Sequence, residues 1–355
     1  GSFVTETEPT DPSIERPAAM DRFITVLAVG LTLLAIAWAS DLFRIAGLLL
    51  YTEQFLSGII AIALPLVLLS IRANRERRHT NIPWYDIVLS LIVFFASIYM
   101  AIRYPILAEL VSDAPLDGLI PGIVVVVLLI EGLRRTVGNV LTCLVLFFLL
   151  VGIFGHHLPG KLAGKEILTR DLFYYLAWDP TSILGVPLKI VTSIVMAFVF
   201  FGQVLTKSGG STFFTEISMV LVGRYRGGQA KIAVTASGFF GSISGSVVSN
   251  VVTTGVISIP LMRSAGYRGI QAGAIEAVAS TGGQLMPPIM GAAAFLMAEF
   301  LEIPYKEVVI AALIPAILYY VALFILADLE AARTNIKPME KEKIPRFIEV
   351  LKTGW

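Results

Sequence analysis

Long apolar runs separated by short polar segments dominate the pattern along the chain. A helix needs about 20 predominantly apolar residues to cross a bilayer. Seven runs approach that length and predict transmembrane helices: Phe23–Ser40, Phe55–Ile71, Ile87–Ile102, Leu119–Leu133, Val140–Phe154, Ile190–Leu205 and Val308–Leu326. An eighth run, Ile270–Phe300, contains Gly-Gly and Pro-Pro pairs, and we predict that it crosses as a broken helix.

The stretch Ala230–Met262 departs from this pattern, because glycine, serine, threonine and one asparagine crowd its centre. It contains about 33 residues, whereas one crossing needs roughly 20 and two need roughly 40. Basic residues flank both ends: Arg224, Arg226 and Lys231 at its start, and Arg263 and Arg268 after it. Positive flanks indicate that both ends lie in the cytoplasm. We therefore predict a re-entrant helical hairpin that turns near the middle of the bilayer.

The distribution of basic residues predicts the orientation of the spans. With the N-terminus in the cytoplasm, most of the 27 Lys and Arg residues fall on the cytoplasmic side, as the positive-inside rule requires. This assignment holds only if the hairpin does not cross, since a single crossing there would invert every later span. We expect a multi-pass membrane protein with a cytoplasmic N-terminus.

Composition supports an all-α integral membrane protein and excludes several other classes. The chain is 56% hydrophobic and 15% charged, whereas soluble domains are about 25% charged. A net charge of +1 gives no strong positive electrostatic field that would attract nucleic acid. The single cysteine, Cys143, excludes a disulfide framework. Residues 1–20 are polar and Pro-rich, begin with the apparent tag remnant Gly1-Ser2, and are predicted to be disordered.

Two polar regions at predicted bilayer depth carry the candidate chemistry. The hairpin tip offers flexible glycine backbone and hydroxyl oxygens at Ser242, Ser244, Gly245, Ser246, Ser249, Asn250 and Thr253. The break in the eighth span offers a second set at Ser280, Thr281, Gly282, Gly283, Gln284, Pro287 and Pro288. A break facing lipid would leave backbone groups without hydrogen bonds, so we predict that the break faces the hairpin tip and that both regions bind substrate or ion.

The ion that such a site would take stays open at this level. Hard oxygens suit sodium, and the candidate sodium ligands are Ser244, Ser246, Asn250, Thr281 and Gly282. Glu276 precedes the break at membrane depth and is a candidate for proton coupling. It could instead pair with a basic residue or hold the hairpin in place.

These polar regions have two other possible explanations. Small residues also let transmembrane helices pack closely, although their density in a hairpin that cannot span favours a functional site. A polar re-entrant loop can line the filter of an ion channel, but the second, broken helix favours a transporter. The sequence lacks an HExxH pair, a Ser-His constellation and a phosphate loop, so we expect no enzyme and no cofactor.

Three segments resemble the large membrane subunit of tripartite ATP-independent periplasmic (TRAP) transporters. They read VLVGRYRGGQAK, GSISGSVVSNVVTTGVISIPLMRSAGYRG and AIEAVASTGGQLMPPIMGAAAFLMAEFLEIPY. The resemblance extends from about Leu119 to Leu326. Within the family, these segments most resemble the TAXI branch, in which the small subunit is fused to the large one. It implies an elevator-type secondary transporter of the bacterial inner membrane that imports an organic acid, and a dicarboxylate is the expected class.

The resemblance also implies an organisation and a set of partners. We expect a small-subunit-like scaffold at 21–136, a scaffold with an interfacial arm at 137–226, a transport domain at 227–328 and a cytoplasmic segment at 329–355. A periplasmic TAXI-type protein would deliver the substrate. The family has two inverted repeats, and only the first is recognisable here, so the second is expected on another chain or beyond this fragment. Asn250 replaces a common aspartate and Glu276 is an unusual carboxylate, so sodium is the expected coupling ion and protons are the alternative.

Overall fold

A computed structural model describes residues 18–73, 83–157, 164–340, 342 and 344–353 of the chain. Over these residues the protein is built of α-helices and contains no strands. Most of the tail predicted to be disordered lies outside the described residues, but its last three residues, 18–20, already belong to the first helix. The all-α membrane fold predicted from the sequence is thereby confirmed.

Sixteen α-helices are present in the described part of the chain. The first eight are α1 (Ala18–Ala39), α2 (Leu42–Ile45), α3 (Thr52–Ser70), α4 (Trp84–Leu107), α5 (Leu116–Thr136), α6 (Asn139–Phe154), α7 (Thr169–Trp178) and α8 (Val186–Ile190). The others are α9 (Met196–Lys207), α10 (Gly210–Val222), α11 (Gly228–Ser244), α12 (Val247–Ser264), α13 (Gly269–Thr281), α14 (Ala292–Phe300), α15 (Tyr305–Arg333) and α16 (Phe347–Thr353). A π-helical turn, Val191–Val195, joins α8 to α9.

Eight described helical stretches are long and apolar enough to cross a membrane, and seven of them coincide with the predicted continuous spans. The remaining stretch is α12, one arm of the predicted hairpin. The run at 270–300 is not among these eight stretches, because it forms two short helices, α13 and α14. This agrees with the broken helix predicted there.

The hairpin itself is a pair of packed helices joined by only two residues, Gly245 and Ser246. At 1.5 Å per residue, α11 and α12 are about 26 Å and 27 Å long, close to the hydrocarbon thickness of about 30 Å. The two arms are longer than the sequence pattern predicted, because a two-residue turn leaves nearly every residue helical. The hairpin shape is confirmed, and a turn in mid-bilayer stays a prediction.

By compactness the chain divides into two units, residues 1–192 and 193–355. The division falls inside the continuous helical stretch Val186–Lys207. The functional boundaries expected at residues 136 and 226 rest on the family resemblance and stay predictions.

In the first unit, α3, α4, α5 and α7 surround the core. Arg135 ties three of these helices together, since its guanidinium contacts Asp86 of α4 at 2.6 Å and the carbonyl oxygens of Leu68 and Ile71 at the end of α3. The side chains of Arg135 and Asp86 are each 1% exposed. Such a pair is costly to bury but far more costly to break.

In the second unit, α11 lies at the centre and contacts α9, α10, α12, α13 and α15. Near the N-terminus of α11, the buried Lys231 contacts Asp328 of α15 at 2.6 Å and lies over the ring of Phe324. Arg226 also pairs with Asp328. Burial and the nearby acids Glu330 and Asp328 raise the pKa of Tyr267, in the turn between α12 and α13, to about 12. These contacts attach the open end of the hairpin to α15.

The topology of the hairpin can be checked by single-cysteine labelling. Arg224→Cys and Ser264→Cys, each made after Cys143→Ser, should react with a membrane-impermeant reagent only from the cytoplasmic side, because the two arms return the chain to its starting side. Gly227 is unsuitable, since its φ of +62° disfavours any side chain. Lys306→Cys, predicted outside, serves as the periplasmic control. Labelling of the two hairpin positions from opposite sides would contradict the hairpin.

The buried pair in the first unit makes a prediction for stability. Arg135→Met should lower the free energy of unfolding by about 3–5 kcal/mol, because Asp86 is left charged and buried. The double variant Arg135→Met/Asp86→Leu should recover most of this loss. Arg134→Met is the control, since the Arg134 side chain is 35% exposed and should cost about 1 kcal/mol or less. Unfolding in detergent measures all three, and equal losses for Arg134 and Arg135 would refute the argument.

Candidate functional site

The hairpin tip is a tight reversal in which one helix ends and the next begins. Gly245 ends α11 with a φ of +60°, and its amide donates to the Gly241 carbonyl at 2.9 Å. Ser246 caps α12, and its Oγ accepts from the Ser249 amide at 3.3 Å. Ser246, predicted as an ion ligand, therefore also has a structural role at the start of α12.

The break between α13 and α14 is a stretch of irregular backbone. After Thr281 the chain makes a 3-10 turn at Gly282–Gln284, and the Gln284 carbonyl accepts from the Gly291 amide at 2.9 Å. The peptide bond between Pro287 and Pro288 is cis. The proline pair cannot donate backbone hydrogen bonds, which explains why no helix spans this stretch.

The break lies against the hairpin tip, as predicted from the need to satisfy its backbone. The Ile289 amide donates to the Ser242 carbonyl at 3.0 Å. Gly241 and Gly283 bring the two backbones so close that a Cβ on Gly241 would lie 2.5 Å from the Gly283 Cα. Only glycine permits this approach at either position.

Asn250 is fully buried and joins three helices. Its Nδ2 donates to the Ser237 carbonyl of α11 at 2.9 Å and lies 3.5 Å from the Ser280 carbonyl of α13. Its Oδ1 lies 3.2 Å from Thr254 Oγ1, but the one proton of that hydroxyl is also within reach of the Glu276 carboxyl group at 2.5 Å. The amide nitrogen of the side chain that the sequence offered as a cation ligand is therefore bonded within the protein, and its oxygen packs against Thr254.

Glu276 is fully buried and is surrounded by hydroxyl groups. Its Oε1 accepts from Thr254 at 2.5 Å, Ser280 at 3.1 Å and Ser237 at 3.2 Å. Its Oε2 accepts from Ser258 at 2.5 Å. Four hydroxyls from α11, α12 and α13 thus take the place of water around the carboxyl group. The sequence left three roles open for Glu276, and this geometry matches the one in which its carboxyl group holds the hairpin in place.

Ser244 is the candidate ligand whose oxygen remains open. It is 6% exposed at the end of α11, and no hydrogen-bond partner of its Oγ is present in the described part of the chain. A buried hydroxyl without a partner is unfavourable, so this atom is available to a bound species.

The remaining predicted residues lie around this centre with local bonds. Ser242 Oγ donates to the Phe239 carbonyl and Thr253 Oγ1 to the Ser249 carbonyl. Thr281 is exposed and donates to the Ala277 carbonyl at 2.7 Å. Pro288 contributes a carbonyl that accepts from Tyr305 at 3.0 Å. The structure thus brings the tip and the break together.

Sequence reasoning missed Ser237, Thr254 and Ser258 as partners of Glu276. Thr254 and Ser258 are four residues apart and so share a helix face, which was the available signal. It also missed Tyr319 and Tyr320, which donate to the Val278 and Ala279 carbonyls at the end of α13.

Metal-binding clusters of His, Cys, Asp and Glu are absent from the described residues. Hydroxyl and carbonyl oxygens are ligands suited to hard monovalent ions. The Ser244 hydroxyl at the end of α11 is one such oxygen, whereas the nearby Gly241 and Ser242 carbonyls already accept from the Gly245 and Ile289 amides.

A polar helical hairpin packed against a broken helix, in a chain with many apolar spans, is typical of secondary transporters. The family model for the DctM component of tripartite ATP-independent periplasmic transporters matches residues 122–355. The chain belongs to this family, which is a family of transporter permeases and not of enzymes. With its apolar helices, this makes it a multi-pass protein of the inner membrane.

Several curated proteins are similar to part of the chain. The ectoine/5-hydroxyectoine TRAP transporter large permease protein UehC of Ruegeria pomeroyi is 28% identical over 50% of the chain and 38% of that protein. The sialic acid TRAP transporter permease protein SiaT of Haemophilus influenzae is 31% identical over 44% and 23%. The C4-dicarboxylate TRAP transporter large permease protein DctM of Rhodobacter capsulatus is 27% identical over 42% and 34%. The chain matches less than half the length of each.

The close approach of Gly241 and Gly283 can be tested by adding one methyl group. Gly283→Ala should lower the free energy of unfolding by about 1–3 kcal/mol, because its Cβ would lie 2.7 Å from the Gly241 Cα. Gly273→Ala, on α13 with no atom within 4 Å of the added Cβ, is the matched control and should stabilise slightly. Thermal unfolding in detergent measures both, and an unaffected Gly283→Ala would contradict the packing.

Proposed function

We propose that this protein is the membrane permease component of a secondary transporter that imports an organic acid, driven by a cation gradient. The observation that carries the proposal is the contact between the hairpin tip and the break, next to the enclosed carboxyl group of Glu276. Irregular backbone and polar groups in an apolar chain are tolerated where they line a binding site. Membership of the DctM family supports the same activity.

The substrate is proposed to be a carboxylate, and a dicarboxylate is the favoured class. Helix α12 begins at the tip and helix α14 begins after the break, and helix N-termini favour anionic groups. The names of the similar proteins include ectoine, sialic acid and C4-dicarboxylates, so family membership alone does not select among acids. The C4-dicarboxylate relatives support the favoured class.

Sodium is the proposed coupling ion, with the proton as the alternative. Support for sodium comes from the Ser244 hydroxyl, which has no hydrogen-bond partner in the described part of the chain. Support for a proton comes from Glu276, because hydroxyl groups can either donate to a carboxylate or accept from a carboxylic acid. The hydroxyl cage therefore accommodates both protonation states.

The proposal includes partners and a mode of movement. A periplasmic binding protein of the TAXI type would deliver the acid, and a second large-subunit repeat would complete the site opposite the hairpin. The segment 227–328 would move as an elevator against a scaffold that includes the fused small-subunit helices at 21–136. Attachment of the hairpin to α15 through Lys231 and Asp328 supports movement of these helices as one body.

Uptake by proteoliposomes tests the function and the coupling ion together. The protein, reconstituted with its periplasmic binding protein and any co-encoded permease chain, should accumulate a labelled C4-dicarboxylate under a sodium gradient. Ser244→Ala should raise the sodium concentration for half-maximal uptake by about tenfold or more, as expected for loss of a charge-assisted contact. Ser264→Ala, an exposed serine at the far end of α12, should leave uptake unchanged.

The alternative gives a different pattern. Uptake driven by a proton gradient without sodium, and lost in Glu276→Gln while exchange persists, would assign coupling to Glu276 and overturn the sodium site. Failure to accumulate any tested organic acid under either gradient would contradict the proposed transport activity.

A further inference from the structure

The backbone of Ile289, within the break, connects the hairpin tip to the start of α15. Its amide donates to the Ser242 carbonyl at 3.0 Å, and its carbonyl accepts from the Tyr305 hydroxyl at 2.5 Å. The same hydroxyl lies 3.0 Å from the Pro288 carbonyl, and its one proton is shared between these two acceptors. Only one residue of the break therefore lies between the Tyr305 hydroxyl and the tip.

The ring of Tyr305 is held by aromatic stacking. It stacks on Phe295 of α14, with 4.3 Å between the ring centroids and 14° between the ring planes. Phe295 is 7% exposed and stacks in turn on Phe198 of α9 at 5.6 Å. Stacked rings are favourable beyond the area that they bury. The stack therefore directs the hydroxyl at the break, and it does not depend on the hydroxyl.

The residue after Ile289 has an unfavourable backbone conformation. Met290 is 3% exposed and has a φ of +60°, in the left-handed region that residues other than glycine rarely adopt. Its carbonyl oxygen packs against Gly245 so closely that a Cβ on Gly245 would lie 2.0 Å from it. Such a conformation persists only where surrounding contacts enforce it. The hydrogen bond from Tyr305 is one of these contacts, because the Ile289 carbonyl belongs to the peptide group that joins Ile289 to Met290.

We propose that Tyr305 is a positioning residue of the transport site, which through Ile289 holds the break against the hairpin tip, beside the Ser244 hydroxyl. The inference rests on the proposed function, in which Ser244 offers its open oxygen to the coupling ion. Without the Tyr305 hydroxyl, the break would have to become ordered each time the ion binds. That cost lowers the apparent affinity for the ion, as it does wherever a binding site is not preorganised.

Hydrogen–deuterium exchange of the purified full chain tests the contact without transport. Tyr305→Phe keeps the ring and removes only the hydroxyl, so amide exchange across residues 285–294 should rise about two- to tenfold, as expected for loss of one hydrogen bond. Tyr175→Phe is the matched control, since it removes a hydroxyl that bonds Thr181 in the first unit, and it should leave this exchange unchanged. Elution as a single species shows that each variant is folded. Unchanged exchange at 285–294 in Tyr305→Phe would overturn the proposal.

Uptake by proteoliposomes separates positioning of the site from a purely structural role. Tyr305→Phe should raise the sodium concentration for half-maximal uptake about two- to tenfold, with the maximal rate per folded protein unchanged, whereas Tyr175→Phe should change neither. A lower maximal rate with unchanged sodium dependence would indicate a structural role and overturn the assignment of Tyr305 alone. Absent or sodium-independent uptake by the unmodified protein would contradict the proposed sodium-driven function itself, and this role with it.

Discussion

The carboxyl group of Glu276 is the constraint around which the helices of the hairpin region are arranged. A buried carboxyl group needs hydrogen-bond donors or a proton, because an isolated charge away from water is very costly. Ser237 satisfies it from α11, and Thr254 and Ser258 satisfy it from α12. Because these donors lie on both arms of the hairpin, hydrogen bonding to one side chain fixes how both arms pack on α13.

The contact between the tip and the break follows from this packing. Once α13 lies against both arms, its C-terminal end reaches the hairpin turn, where Gly241 and Gly283 allow the two backbones to approach. The Ile289 amide then finds an acceptor in the Ser242 carbonyl. Irregular backbone that lipid could not satisfy is satisfied by the hairpin, and Ser244 is left with an open hydroxyl beside it.

Two buried polar clusters, one around Arg135 and one around Glu276, are compensated by different means. In the first unit, Arg135 pairs with the buried Asp86 and with Glu131, and removing the arginine leaves Asp86 as an uncompensated buried charge. In the second unit, neutral hydroxyls surround Glu276, and each can donate or accept. An ion pair favours one fixed arrangement. Hydroxyls tolerate a change of protonation or of bound ion, as the proposed transport site would require.

The sequence by itself determined the helical membrane class, seven continuous spans, the hairpin and the break, because apolar run length and Gly/Pro interruptions act locally. It also indicated that the tip and the break meet, since buried backbone must be satisfied. Only the tertiary structure decided that Asn250 bridges three helices and that Ser237, Thr254 and Ser258 enclose Glu276. Those partners lie on other helices, and the polar face of one helix does not specify which side chain on a neighbouring helix it contacts, because that depends on how the helices pack.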